Sequence, residues 1–163
     1  MHHQLIFQNF QSMRFYSLVN YYLSDLQRGL QTAHAVSEML VDPKNCKAKL
    51  QHYHQWAKDH KTIIILNGGN SKMLQESYDN LSIWCTAAGL PITKFHEDEQ
   101  SLNCALTCVG LVLPEEIYGA KRASNDFISH YEFRNADGIW MKNYYPAEPA
   151  YQILEILNKF KLA

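Results

Sequence analysis

The chain has 163 residues, which is about one domain and enough to bury a core without disulfides or a metal. Hydrophobic residues make up 47% and charged residues 19%, which excludes a disordered or fibrous protein. Lys and Arg number 15 against 16 Asp and Glu, a net charge of -1, so the uniformly basic surface of a duplex-DNA binder is excluded and only a local patch is open.

Residues 1–13 are rich in His, Gln and Asn, with Leu5-Ile6-Phe7 as the sole apolar run and no basic residue before Arg14. They read as a leader or tag-like segment rather than a signal peptide, with Met13 as an alternative start. No stretch approaches the roughly 18 apolar residues of a membrane helix, so no membrane partner is expected. The four cysteines (Cys46, Cys85, Cys104, Cys108) form no CxxC pair and read as reduced thiols of a cytoplasmic chain. Cys104 and Cys108 are expected to pack on one buried face of a strand.

Residues 15–23 (FYSLVNYYL) are dense in aromatic and branched side chains and predict a buried strand. A helix follows, in which Leu26, Leu30, Ala33, Val36 and Leu40 recur at helical spacing until Asp42-Pro43. That stripe is expected inward, and the polar stripe Gln27, Gln31, His34 and Glu38 outward. A second helix fits 45–58, with Leu50, Tyr53 and Ala57 inward and Trp56 at the margin. TIIIL at 62–66 is the clearest strand, closed by Asn67-Gly68-Gly69. A long helix then carries Leu74, Tyr78, Leu81, Cys85 and Ala88 in period and stops at Gly89 and Pro91.

A short strand at 92–95, an acidic loop at Glu97-Asp98-Glu99 and a continuous apolar strand at 105–113 (ALTCVGLVL) complete the core pattern. Residues 119–149 lose period and mix Arg, Asn, Asp and aromatics, which predicts an arm or irregular subdomain. Ala150, Ile153, Leu157 and Phe160 form a closing amphipathic helix, with Pro149 in its first turn. The order predicts an α/β fold: a three-layer sandwich around a mixed, mostly parallel sheet of about four strands, helices on both faces, and a C-terminal extension ending in a helix. The domain plan is a leader (1–13), an α/β domain (14–118), and an arm with its helix packed on the same domain (119–163).

Two segments carry a resemblance. Residues 22–36 (YLSDLQRGLQTAHAV) and 102–107 (LNCALT), in that order, resemble the type 2 peptidyl-tRNA hydrolases, closest to shorter relatives in tailed phages. The likeness covers about 15–118. It implies metal-independent hydrolysis of the ester joining a peptide to the tRNA 3′ end, in a host-cell cytoplasm if the chain is of phage origin. It also implies a possible homodimer, for which Trp140, Tyr144 and Tyr145 of the arm would suit an interface. Carried over singly, Thr107 matches the family's threonine and Asp98 its aspartate, with Glu97 and Glu99 competing. Gln31 and His34 match its Gln-x-x-His with a gap. The family's lysine has no counterpart, because Leu30 follows Gly29 and Arg28 is the nearest cation.

Ester hydrolysis needs a positioned water, a base, and donors for the oxyanion. Asp98 or His34 is the candidate base, with the Thr107 hydroxyl and the first helix's amides as donors. Candidate substrate contacts are Arg28, Gln31, Asn103, the Asn67-Gly68-Gly69 turn as an anion cradle, and Lys47 and Lys49 in a basic stretch at 44–61 that could track a tRNA backbone. No cofactor and no metal are expected, since His52, His54 and His60 lack zinc-ligand spacing. The alternative function is a non-catalytic module binding tRNA, a nucleotide or a host protein, including a phage protein that blocks host defence.

Overall fold

The computed structural model describes residues 12–119, 130–134, 140–144 and 147–163. Strand β1 (Met13–Val19) turns into helix α1 (Asp25–Val41). Ser24 caps that helix reciprocally, its hydroxyl accepting from the Gln27 amide while the Gln27 side-chain oxygen accepts from the Ser24 amide. Helix α2 (Lys47–Gln55) passes into a π-helical turn (Trp56–His60) before β2 (Thr62–Asn67). Helix α3 (Ser71–Ala87), β3 (Ile92–His96), the short α4 (Glu99–Leu102), β4 (Leu106–Pro114) and the short α5 (Glu115–Tyr118) follow. A β5–β6 hairpin (His130–Arg134, Trp140–Tyr144) and α6 (Ala147–Leu157) end the order.

The four-stranded sheet has the order β2-β1-β4-β3. Only β1 and β2 pair in parallel; β1–β4 and β3–β4 are antiparallel. The expected mostly parallel sheet is therefore corrected to a mixed sheet with antiparallel pairing in the majority. The reason lies in the connections. Two helices cross between β1 and β2, whereas the link at 97–105 is too short for a crossover and returns β4 antiparallel to β3. As a result, the carboxyl ends of β1, β2 and β3 and the start of β4 share one edge of the sheet.

Apolar clusters lie against both faces. One gathers Phe15, Val19, Cys108 and Val112 with Ala35 and Met39 of α1 and Tyr53 and Trp56. The other gathers Leu18, Val109, Leu111 and Leu113 with Leu74, Tyr78, Leu81 and Cys85 of α3 and Ala150, Ile153 and Leu157 of α6. The helical periods expected for α3 and α6 are thus the observed inward faces. Trp56 is buried rather than marginal, because its indole N–H donates to the Thr62 carbonyl at 2.8 Å.

TIIIL forms β2 but at the edge of the sheet, with Ile63 41% exposed. The C-terminal residues partly cover that edge: Asn67 donates its amide to the Lys161 carbonyl, and Ala163 donates to that of Ile65. Cys108 is buried as expected, but Cys104 precedes β4 and is exposed in a turn.

The inward face of α1 departs most from expectation. Gln31, Thr32, Ala35 and Met39 are its buried residues, while Leu26, Leu30 and Leu40 are exposed. The helix is rotated because its polar inner side chains find partners below. Thr32 Oγ1 lies 2.7 Å from Ser17 Oγ and donates to the Arg28 carbonyl, and Ser17 Oγ lies 3.1 Å from Cys108 Sγ. Satisfied in this way, buried hydroxyls and amides cost little.

The arm at 119–149 contains the β5–β6 hairpin, paired from His130–Tyr144 to Arg134–Trp140. The leader at 1–11, Tyr145 and the arm side chains proposed for an interface lie outside the described residues.

Candidate functional site at the carboxyl edge of the sheet

Thr107 opens β4 at the shared edge and is fully buried, with its backbone carbonyl accepting from the Asn20 amide at the end of β1. Its hydroxyl donates to Gln31 Oε1 of α1 at 2.7 Å. Gln31 Nε2 in turn donates to Glu97 Oε1, just beyond β3. A hydroxyl, a carboxamide and a carboxylate therefore form one chain across β4, α1 and the acidic loop. The hydroxyl proton is committed to Gln31, so the buried Thr107 orients the Gln31 carboxamide and is not a free donor.

The acidic loop sorts its three residues. Asp98 is exposed and caps α4, its Oδ1 accepting from the Ser101 amide at 2.6 Å. That backbone hydrogen bond, reinforced by the Ser101 hydroxyl, holds the Asp98 carboxyl below its usual range and makes it a weaker base. Glu99 begins the helix that Asp98 caps. Glu97, the competitor at the sequence level, is the carboxylate that reaches Gln31, and its amide is fixed to the Ala105 carbonyl.

Asn103 ends α4 with φ +50, and Cys104 follows with φ +58. Two successive non-glycine residues in the left-handed region are strained, and such strain clusters at sites. They bend the chain so that Leu106 and Thr107 enter β4 beside β1. The Asn103 side chain is displayed in that bend.

His34 is exposed on α1 and stacks on Phe95 of β3, with ring centroids 4.6 Å apart and planes within 10°. It stands one helical turn from Gln31 on the side toward β3. Arg28 is held by two contacts, to Asp25 Oδ1 at 3.2 Å and to the Tyr21 carbonyl at 3.1 Å. Its Nε is buried without a partner among the described residues.

The expected anion cradle is occupied by the protein itself. Gly68 donates its amide to the Val19 carbonyl, and Gly69 donates to Asn67 Oδ1. The glycines have a packing role instead. A Cβ on Gly68 would lie 2.4 Å from Leu74 Cδ2 and 3.0 Å from Leu18 Cβ, and Gly69 has φ +81.

Lys47 and Lys49 are not brought to this edge. They follow the far end of α1, where Asn45 bonds the Ile92 carbonyl at the start of β3. Ten residues of α1, about 15 Å of helix, lie between Gln31 and that far end.

Sequence reasoning missed Asn20 and Ser71. Asn20 is fully buried and donates its side-chain amide to Ser71 Oγ, which donates to the Leu106 carbonyl, tying β1, α3 and β4 together behind Thr107. The available signal was an asparagine inside the apolar run 15–23. Among the described residues, no group of three His, Cys, Asp or Glu side chains could hold a metal ion, and no helix is long and apolar enough to cross a membrane.

No protein-family model matches the chain, and comparison with curated proteins finds no relative.

Proposed function

We propose that the chain is a peptidyl-tRNA hydrolase-like α/β protein, a three-layer sandwich that cleaves the ester between a peptide and the tRNA 3′ end without a metal. The observation that carries this reading is the Thr107–Gln31 hydrogen bond. It brings together, at one sheet edge, the two sequence segments that resemble that family, Gln31 with His34 and the 102–107 segment. The two segments are 76 positions apart at this bond, and their meeting at one edge supports the reading.

In this reading Glu97 is the base. Gln31 Nε2 fixes one of its oxygens and leaves the other to accept a proton from water. That water attacks the acyl carbon, its proton passes to the Glu97 carboxylate, and the ribose oxygen leaves with a proton. Thr107 and Gln31 hold the carboxylate in place, as an orienting group holds a base in other hydrolytic sites. His34, flat on Phe95, offers an aromatic edge and a proton donor to the leaving group, and Arg28 supplies positive charge for a carbonyl or phosphate.

Release of the acyl group from an N-acetylaminoacyl-tRNA in the presence of a chelator tests the proposal. Turnover by the wild-type chain is expected; binding of the tRNA with no turnover would leave the second reading.

That second reading is a non-catalytic module for tRNA, a nucleotide or a host protein. It is favoured by one observation: Arg28, the nearest cation to the family's missing lysine, is already bonded to Asp25 and the Tyr21 carbonyl.

A further inference from the structure

A cleft lies on the α3 side of the sheet, between that helix and the last residues of the chain. Helix α6 stops at Leu157, where the chain turns and Phe160 donates its amide to the Leu157 carbonyl. The Lys161 carbonyl then accepts from the Asn67 amide at the edge of β2. That crossing leaves a gap beside α3, whose residues Met73, Glu76, Ser77 and Asn80 fall at helical spacing and form one wall. The cleft has a volume of about 480 Å³, within the roughly 300–1,000 Å³ of small-molecule sites. The sheet stands between it and α1, which carries Gln31.

The lining carries charges of both signs around an apolar surface. Glu76 stands on the α3 wall, and Lys159 and Lys161 flank Phe160 on the other. All three charged side chains are exposed, and neither lysine is in an ion pair among the described residues. Glu76 has Lys72 at 4.0 Å, a solvent-exposed pair worth little. Met73, Ile156 and Phe160 supply apolar and aromatic surface between the charges. Two carboxamides complete the lining. Asn67 Oδ1 accepts from the Gly69 amide, and Asn80 Nδ2 donates to the Glu76 carbonyl. Among the described residues that leaves Asn67 Nδ2 to donate and Asn80 Oδ1 to accept, the two halves of what a peptide bond pairs with.

We propose that this cleft binds a short peptide with free ends, two or three residues long and apolar in its side chains. Its ammonium group lies toward Glu76, its carboxylate toward Lys159 and Lys161, and its side chains against Met73 and Phe160. The size fits. A compact space of 480 Å³ is about 8 Å across, which two or three extended residues span at about 3.5 Å each. A free amino acid carries both charges on one carbon and does not reach both walls. A nucleotide would match the lysines but set its phosphate against Glu76, where like charges repel. The site is independent of the proposed hydrolysis, because a peptide still esterified to tRNA has no free carboxylate for the lysines.

Calorimetric titration of the full chain with the dipeptide leucyl-phenylalanine is the test, beside its N-acetyl form, its C-terminal amide and adenosine monophosphate. The free dipeptide is expected to bind, and each blocked form to bind at least about threefold more weakly. Glu76→Gln should erase the difference between the free and N-acetylated dipeptide, and only that one. Lys159→Gln with Lys161→Gln should erase the difference between the acid and the amide. A second measurement locates the ligand: on adding the dipeptide, backbone amide chemical shifts should move at Ser77, Asn80 and Phe160. No binding at millimolar dipeptide, equal affinity for the blocked forms, tighter binding of adenosine monophosphate, or shifts centred on Gln31 would each overturn the proposal.

Discussion

Thr107 donates its hydroxyl proton to the side-chain oxygen of Gln31 at 2.7 Å, joining the first residues of β4 to the middle of α1 across 76 positions of sequence. Both groups are buried. Replacing Thr107 with valine keeps the shape but leaves Gln31 Oε1 without its donor, which costs about 1–3 kcal/mol. Urea titration should show a lower midpoint at unchanged slope. An unchanged midpoint would mean that the bond contributes nothing to holding α1 on the sheet.

Glu97 and Asp98 are neighbours with different partners: Glu97 accepts from Gln31, whereas Asp98 caps α4, and the proposed reaction makes only Glu97 the base. Glu97→Gln should abolish most turnover while leaving the fold intact, because only the carboxylate's basicity is lost. Asp98→Asn should retain turnover, since asparagine caps a helix as well as aspartate does. The reverse ranking in a peptide-release assay would return the catalytic role to Asp98.

Burial pushes the Glu116 carboxyl up to about 7, and its Oε2 is buried without a partner among the described residues. The folded chain therefore holds this proton more tightly than the unfolded chain does. Stability should fall as pH rises from about 4.5 to about 7 and stay reduced above that, by on the order of 1–2 kcal/mol. Glu116→Gln should raise the melting temperature at pH 8 and change it little at pH 4. Equal effects at both pH values would contradict the linkage.

Gly68 allows the end of β2 to lie against Leu18 and Leu74. A methyl group there has no room, so Gly68→Ala should destabilise by about 1–3 kcal/mol, read from the shift in denaturation midpoint. A neutral result would show that Leu74 gives way freely.

Much of the core was legible in the sequence. The runs at 62–66 and 105–113 are strands, and the Leu74, Tyr78, Leu81, Cys85 series and the Ile153, Leu157 pair are the buried faces of their helices. What was not legible is pairing. A continuous apolar run says that a strand is buried, not which way its neighbour points, and the short link at 97–105 decided that direction.

The same blindness reversed α1. Its leucine stripe looked like a core face because a single helix carries no trace of Ser17, Glu97 and Thr107, the distant partners that make Gln31 and Thr32 buriable. Within the site, Gln31 and Thr107 were found by likeness and meet in space. The choice among Glu97, Asp98 and Glu99 required the cap of α4, which is a matter of local geometry.

Lys47 and Lys49 follow the far end of α1, which lies ten residues, or about 15 Å of helix, beyond Gln31. If tRNA reaches across the molecule to them, Lys47→Glu with Lys49→Glu should raise KM and flatten its salt dependence without lowering kcat. A fall in kcat at unchanged KM would place these lysines in a different role.

The proposed hydrolysis depends on Glu97 as a base fixed by Gln31 and Thr107. Single-turnover release of the acyl group from N-acetylaminoacyl-tRNA, with chelator present and enzyme in excess, tests it most directly. The wild type should release the acyl group, and Glu97→Gln should do so at least about 100-fold more slowly at equal tRNA occupancy. Equal rates for the two chains, or none for the wild type with tRNA bound, would contradict it.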